Sequence, residues 1–68
     1  MIYTKIPHIL KTLRTKNKMT LAELSEASGV KLSLLQHYES GRVHPPMKKL
    51  ETVLEVYGYE VRIEEKEN

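Results

Sequence analysis

The spacing of apolar residues near the start of the chain predicts a first helix over about residues 5–16. These residues follow the i, i+3, i+4, i+7 pattern of one helix face and are Ile6, Ile9, Leu10 and Leu13. Thr4 can cap the start of this helix, and Pro7 is compatible only with a first turn. The polar run at residues 16–18 ends the pattern.

A second helix start lies at Thr20, where Glu23 follows three residues later in the pattern of a capping box. Gly29 is placed for a left-handed helix end, because a residue without a side chain adopts that conformation at no steric cost. Apolar spacing then resumes and stops at Ser40 and Gly41. Its positions are Val30, Leu34, Leu35 and Tyr38. Two short helices joined by a three- or four-residue turn that contains glycine form a helix-turn-helix.

The next segment predicts a loop and a fourth helix. Tandem prolines mark residues 42–46 as a loop, because the residue before a proline disfavours helical backbone. A fourth helix is then predicted up to Gly58, with its apolar residues in the core. Those residues are Met47, Leu50, Val53, Leu54 and Tyr57.

From Tyr59 the apolar period changes to two, because Tyr59, Val61 and Ile63 alternate with charged residues; this pattern predicts a half-buried strand. A lone strand leaves its backbone groups unpaired and needs a partner. Residues 2–4 are one candidate, and the same strand of a second copy is the other. We favour the second copy, since two-fold dimers dominate homo-oligomers. The predicted fold class is all-α, with four to five helices and a short C-terminal β-strand.

The charge of the 68-residue chain is divided along its length. Residues 1–49 carry nine Lys or Arg against three Glu, a formal charge of +6, whereas residues 50–68 carry two against six, a charge of −4. A basic body suggests a polyanionic partner such as nucleic acid, although ordinary surface charge for solubility gives the same count.

The chain has no cysteine for disulfides or thiolate zinc sites, and no apolar run of signal-peptide or membrane-spanning length. We therefore expect a cytoplasmic protein with no membrane association.

Two runs of the sequence, MTLAELSEASGV at residues 19–30 and LQHYESGR at residues 35–42, resemble the phage-repressor/Cro-like (XRE-type) helix-turn-helix family. The resemblance covers about residues 5–58. It implies a repressor-like helix-turn-helix domain over residues 1–58, with residues 59–68 as a dimerising strand and acidic tail. It also implies a sequence-specific repressor that binds double-stranded DNA as a homodimer on a palindromic operator. The chain's ending looks like that of DNA-binding antitoxins, which adds a toxin as an alternative protein partner.

The resemblance also implies which residues meet DNA. The residues that match base-reading positions are Leu32, Ser33, Gln36 and His37. The residues that match phosphate-binding positions are Thr20, Leu21, Arg42 and His44. Two of these depart from the family pattern, because Leu21 stands where a glutamine is frequent and Leu32 where a polar reader is common. These leucines, with Leu34, leave open a second interpretation, in which a degenerate helix-turn-helix binds a protein with this face.

An ion pair between Arg14 and Glu39 is implied by the resemblance, the alternative being two independent surface charges. If the pair is largely buried, loss of one partner costs about 3–5 kcal/mol.

Three histidines without a suitable spacing do not predict a metal site, and we expect no cofactor. Catalysis is not expected either, because the sequence offers no phosphate-cradling glycine loop and its carboxylates lie mostly on solvent-facing positions or in the tail.

Overall fold

In the computed structural model, residues 5–61 are described, and they form four helices. The helices are α1 (Ile6–Lys16), α2 (Leu21–Ser28), α3 (Leu32–Ser40) and α4 (Met47–Glu55). The all-helical class is confirmed. The predicted cap at Thr4 lies outside the described residues, and Lys5 occupies the N-cap of α1 without a side-chain hydrogen bond. Within residues 5–61, none of the helices has the length and apolar content needed to cross a bilayer.

Six buried side chains form the core, and α3 lies at its centre. They come from all four helices and from the turn before α3, and are Leu10, Leu24, Val30, Leu35, Tyr38 and Val53. The third helix packs against both α1 and α2, while α4 packs against α2. Because α3 supplies two of these buried residues and contacts two helices, its inner face is held firmly and its outer face is left toward solvent.

Two predictions about the fourth helix are wrong. It ends at Glu55 rather than at Gly58, because the chain then tightens into a turn in which the Tyr57 amide donates to the Leu54 carbonyl. Met47 is 45% exposed instead of buried. Although its spacing assigns it to the inner face, it is the first residue of α4, and the core is contacted by the later residues of the helix.

The predicted C-terminal strand is not found over residues 59–61, where the backbone is irregular. The Tyr59 amide donates to the Leu54 carbonyl at 3.1 Å, so this segment closes the end of α4. A strand needs a ladder partner, and none of the described residues supplies one to a single chain. The remainder of the predicted strand, and the alternative partner at residues 2–4, lie outside the described residues.

Candidate nucleic-acid interface

The start of α2 is held by the predicted capping box. The Thr20 amide donates to Glu23 Oε1 at 2.8 Å, and the Glu23 amide donates to Thr20 Oγ1 at 3.1 Å. The hydrogen bond from the Thr20 backbone, with that from its side chain, lowers the pKa of Glu23 below its ordinary value. The amides of Leu21 and Ala22 are engaged neither by this box nor by the helix. They are donors at the positive end of the α2 dipole, where a helix N-terminus favours negative charge.

The turn between α2 and α3 is closed by several hydrogen bonds. Gly29 adopts a left-handed conformation with φ +75°, and its amide donates to the Ser25 carbonyl at 2.9 Å. The Ser25 hydroxyl donates to the Val30 carbonyl at 2.6 Å, and the Val30 amide donates to the Ser28 hydroxyl. With the Val30 side chain buried, this turn fixes where α3 begins.

The outer side of α3 carries the four residues assigned to base reading, which we call the reading face: Leu32, Ser33, Gln36 and His37. The first three are exposed and His37 is half-buried. Behind them, Leu35 and Tyr38 are each only 2% exposed. The helix is therefore anchored on one side while the opposite side of its first turns is accessible.

The start of α3 is electrostatically positive. Its N-cap residue, Lys31, makes no side-chain capping bond, and its first turn contains no acidic residue. The helix dipole is therefore not neutralised there, and the exposed Lys31 adds a full positive charge. Neither the pattern of apolar residues nor the family resemblance singles out Lys31. Lys31 follows the turn residues Gly29 and Val30 directly, and this position at the start of the third helix is the signal that identifies it.

A hydrogen-bonded ion pair ties α1 to α3. Arg14 Nε donates to Glu39 Oε2 at 2.8 Å and Arg14 Nη2 donates to Glu39 Oε1 at 3.0 Å. A third donor, Nη1, bonds the Met19 carbonyl at 2.8 Å in the loop before α2. The side chains are 15% and 9% exposed. The bond to Glu39 raises the pKa of Arg14 above its ordinary value, so the guanidinium is charged at every accessible pH.

The phosphate-binding residues assigned from the sequence fall into two groups. Arg42 and His44 are exposed in the loop after α3, where the Arg42 amide donates to the His37 carbonyl at 3.0 Å. Thr20 is exposed, whereas Leu21 is half-buried against the core, and the hydrogen-bond donor that Leu21 offers is its backbone amide. At the start of α4, Lys48 and Lys49 are also exposed.

These features define a helix-turn-helix, in which a capped helix and a fixed turn present a third helix to solvent. A family model described as Helix-turn-helix matches residues 10–63, which is most of the chain. The chain thus belongs to this family, of the XRE or phage-repressor/Cro-like type, and is a DNA-binding regulator of that type. No curated protein and no solved structure matches the chain.

Proposed function

We propose that this protein is a sequence-specific transcriptional repressor that binds a palindromic operator as a homodimer. The observation that carries the proposal is the exposed reading face on a helix whose opposite side is buried. A rigid helix about 10–12 Å across fits the major groove, which is roughly 12 Å wide. Occupation of promoter DNA then represses transcription.

Base readout falls to the reading face. Gln36 pairs with adenine, since its amide both donates and accepts in the arrangement that the adenine edge requires. His37 donates to a guanine acceptor at the edge of the same face. Ser33 contacts a base or a phosphate, because its hydroxyl serves either as donor or as acceptor.

Phosphate contacts flank the reading face on both sides. The Leu21 amide and the Thr20 hydroxyl lie at the start of α2, and Arg42 and His44 lie in the loop after α3. We add Lys31 to this group because it is exposed beside the first turn of α3. These contacts position the helix but do not read sequence.

The dimer joins two copies through α4 and residues 59–68. Tyr59 and Met47, which are 51% and 45% exposed, are apolar side chains available to a second copy. Two-fold symmetry places the two reading faces on half-sites about 34 Å apart, one turn of the double helix.

The first experiment selects preferred duplexes from a random DNA pool with the full chain and then titrates salt against the best duplex. We expect two-fold symmetric sites, and an affinity that falls steeply as salt rises, because each neutralised phosphate releases counterions. Absence of any duplex binding at low salt would overturn the proposal.

The second experiment compares two double variants on the selected duplex and on a scrambled one. Gln36→Ala with His37→Ala should remove about 2–4 kcal/mol of sequence preference, while salt-dependent binding to both duplexes persists. His8→Ala with Thr12→Ala is the control, since these exposed residues of α1 belong to no proposed contact. Circular dichroism establishes that both variants are folded. Retained preference in the first variant would show that other residues read the bases.

A second candidate function, the binding of a basic protein such as a toxin, is favoured by a groove beside the end of α4. The groove has a volume of about 710 Å³. Among residues 5–61 its lining includes three carboxylates and consists of Glu51, Glu55, Gly58, Tyr59, Glu60 and Val61. The salt titration separates a chain that binds only protein, which shows no duplex binding, from a chain that binds DNA. Glu51→Gln with Glu55→Gln should leave duplex affinity nearly unchanged if the groove serves a protein alone.

A further inference from the structure

Leu32 is an apolar residue in the middle of an otherwise polar surface. Its side chain is 41% exposed, while the neighbouring Lys31, Ser33 and Gln36 are exposed as well. The other leucines of α3 are placed differently, because Leu35 is buried and Leu34 packs against the core. Leu32 therefore contributes little to the core, and it projects where the proposed function puts the floor of the major groove.

The base edges in the major groove carry one apolar group, the C5-methyl of thymine. A leucine side chain can neither donate nor accept a hydrogen bond, so it cannot distinguish the polar patterns of the bases and gains nothing from a phosphate. Contact with a thymine methyl removes apolar surface of both partners from water.

We infer that Leu32 reads the methyl group of a thymine in each half-site, next to the adenine that Gln36 reads. The inference rests on the proposed function and specifies the DNA that it requires. Leu32 and Gln36 are four residues apart on α3, so their Cβ atoms are about 5–6 Å apart on one face. Successive bases are about 3.4 Å apart along the duplex. The thymine accordingly lies one or two base pairs from the adenine.

Replacement of thymine by uracil tests this contact, because it removes the methyl group and leaves the hydrogen-bonding edge intact. Each thymine of the selected operator is replaced in turn in both half-sites, and Kd is measured by fluorescence anisotropy at one salt concentration. At the predicted position we expect the wild-type chain to bind about fourfold more weakly per half-site without the methyl. The Leu32→Ala variant should bind the thymine duplex and the duplex with uracil at this position equally.

Ile9→Ala is the matched control, because Ile9 is an aliphatic residue of α1 that is 45% exposed and belongs to no proposed contact, so this variant should keep the full thymine preference. Equal binding of thymine and uracil duplexes by the wild-type chain would overturn the inference and leave the proposed function intact. Persistence of the preference in Leu32→Ala would also overturn it, by assigning the methyl to another residue. If Leu32 contacts a protein partner instead of DNA, neither the wild-type chain nor Leu32→Ala should prefer thymine over uracil. Failure to bind any duplex would overturn the proposed function, and this inference with it.

Discussion

The hydroxyl of Tyr57 is buried and makes no hydrogen bond within the described part of the chain. The ring packs against the core, which explains why the spacing of apolar residues assigned Tyr57 to the inner side of α4. Burial raises the pKa of Tyr57 above its ordinary value, and the nearby negative charge of Glu39 raises this pKa further, whereas Arg14 lowers it. A buried hydroxyl without a partner costs about 1–3 kcal/mol of desolvation.

Tyr57→Phe should therefore stabilise the domain by about 1 kcal/mol, because it removes the unpartnered oxygen and keeps the ring. Urea unfolding followed by circular dichroism measures the change. Tyr57→Leu is the comparison that removes ring and hydroxyl together, and it should destabilise. A loss of more than about 1 kcal/mol in Tyr57→Phe would mean that the hydroxyl has a partner in the folded protein.

The same substitution has a pH signature. Below the unfolded pKa of 10.0 the phenol is protonated in both states, so its contribution is constant. Above that pH the unfolded chain loses its proton first, and stability falls until the higher folded pKa is reached. As the pH rises above about 10, the melting temperature of the wild-type protein should fall more than that of Tyr57→Phe. Parallel curves for the two proteins would contradict the raised pKa.

At the scale of elements, the stability of the packing between α1 and α3 depends on the Arg14–Glu39 pair as well as on apolar contacts. The two side chains form two parallel hydrogen bonds, and the third bond to the Met19 carbonyl reaches the loop before α2. One guanidinium therefore joins α1, the loop and the end of α3. Arg is suited to this role because its five donors are arranged in a rigid fork.

Glu39→Ala should lower the free energy of unfolding by about 3 kcal/mol, since it leaves a largely buried guanidinium without its counter-charge. Glu26→Ala on the exposed side of α2 is the control and should change it by less than about 0.5 kcal/mol. Chemical unfolding measures both. At a temperature where Glu39→Ala is fully folded, its duplex affinity should be close to that of the wild type. An unchanged melting temperature would show that the pair contributes little.

At the scale of the whole molecule, charge is segregated along the chain. The reading face and its flanking loop lie in the basic part of the sequence, while α4 ends in the acidic part. Tyr59, which is 51% exposed, lies in this acidic part, whereas Met47 stands beside the basic Lys48 and Lys49 at the start of α4. An acidic surface is unsuited to DNA, which is why the proposed dimer uses this end of the molecule.

Tyr59→Asp should convert the proposed dimer into a monomer, because it places a charge where an apolar side chain meets a second copy. Sedimentation equilibrium measures the mass, and Tyr59→Phe should remain dimeric. Loss of the second half-site contact should weaken operator binding by about a hundredfold or more. A wild-type chain that sediments as a monomer, or a Tyr59→Asp chain that remains a dimer, would refute this arrangement.

The parts of the fold that the sequence predicted are those encoded by neighbouring residues. The capping box at Thr20 and Glu23 depends on residues three apart, and the helix end at Gly29 depends on one residue type. Both were found as predicted. Met47 shows the limit of such patterns, because helical spacing identifies a face but not how far the neighbouring helix extends along it. The strand that was predicted from residue 59 onward, and that is not formed over residues 59–61, shows the same limit. Alternation of apolar and charged residues does not supply a partner for strand pairing.

Helix periodicity, caps and turn glycines specified three of the four helices and the helix-turn-helix itself, because these signals act over one or two turns of backbone. The geometry of the Arg14–Glu39 pair, the buried hydroxyl of Tyr57 and the exposure of Met47 emerged from the packed structure. Each depends on residues far apart in the chain, and their distances are set by how α1, α3 and α4 pack around one core. Local free energies choose the elements, whereas long-range packing decides which side chains remain in contact with solvent.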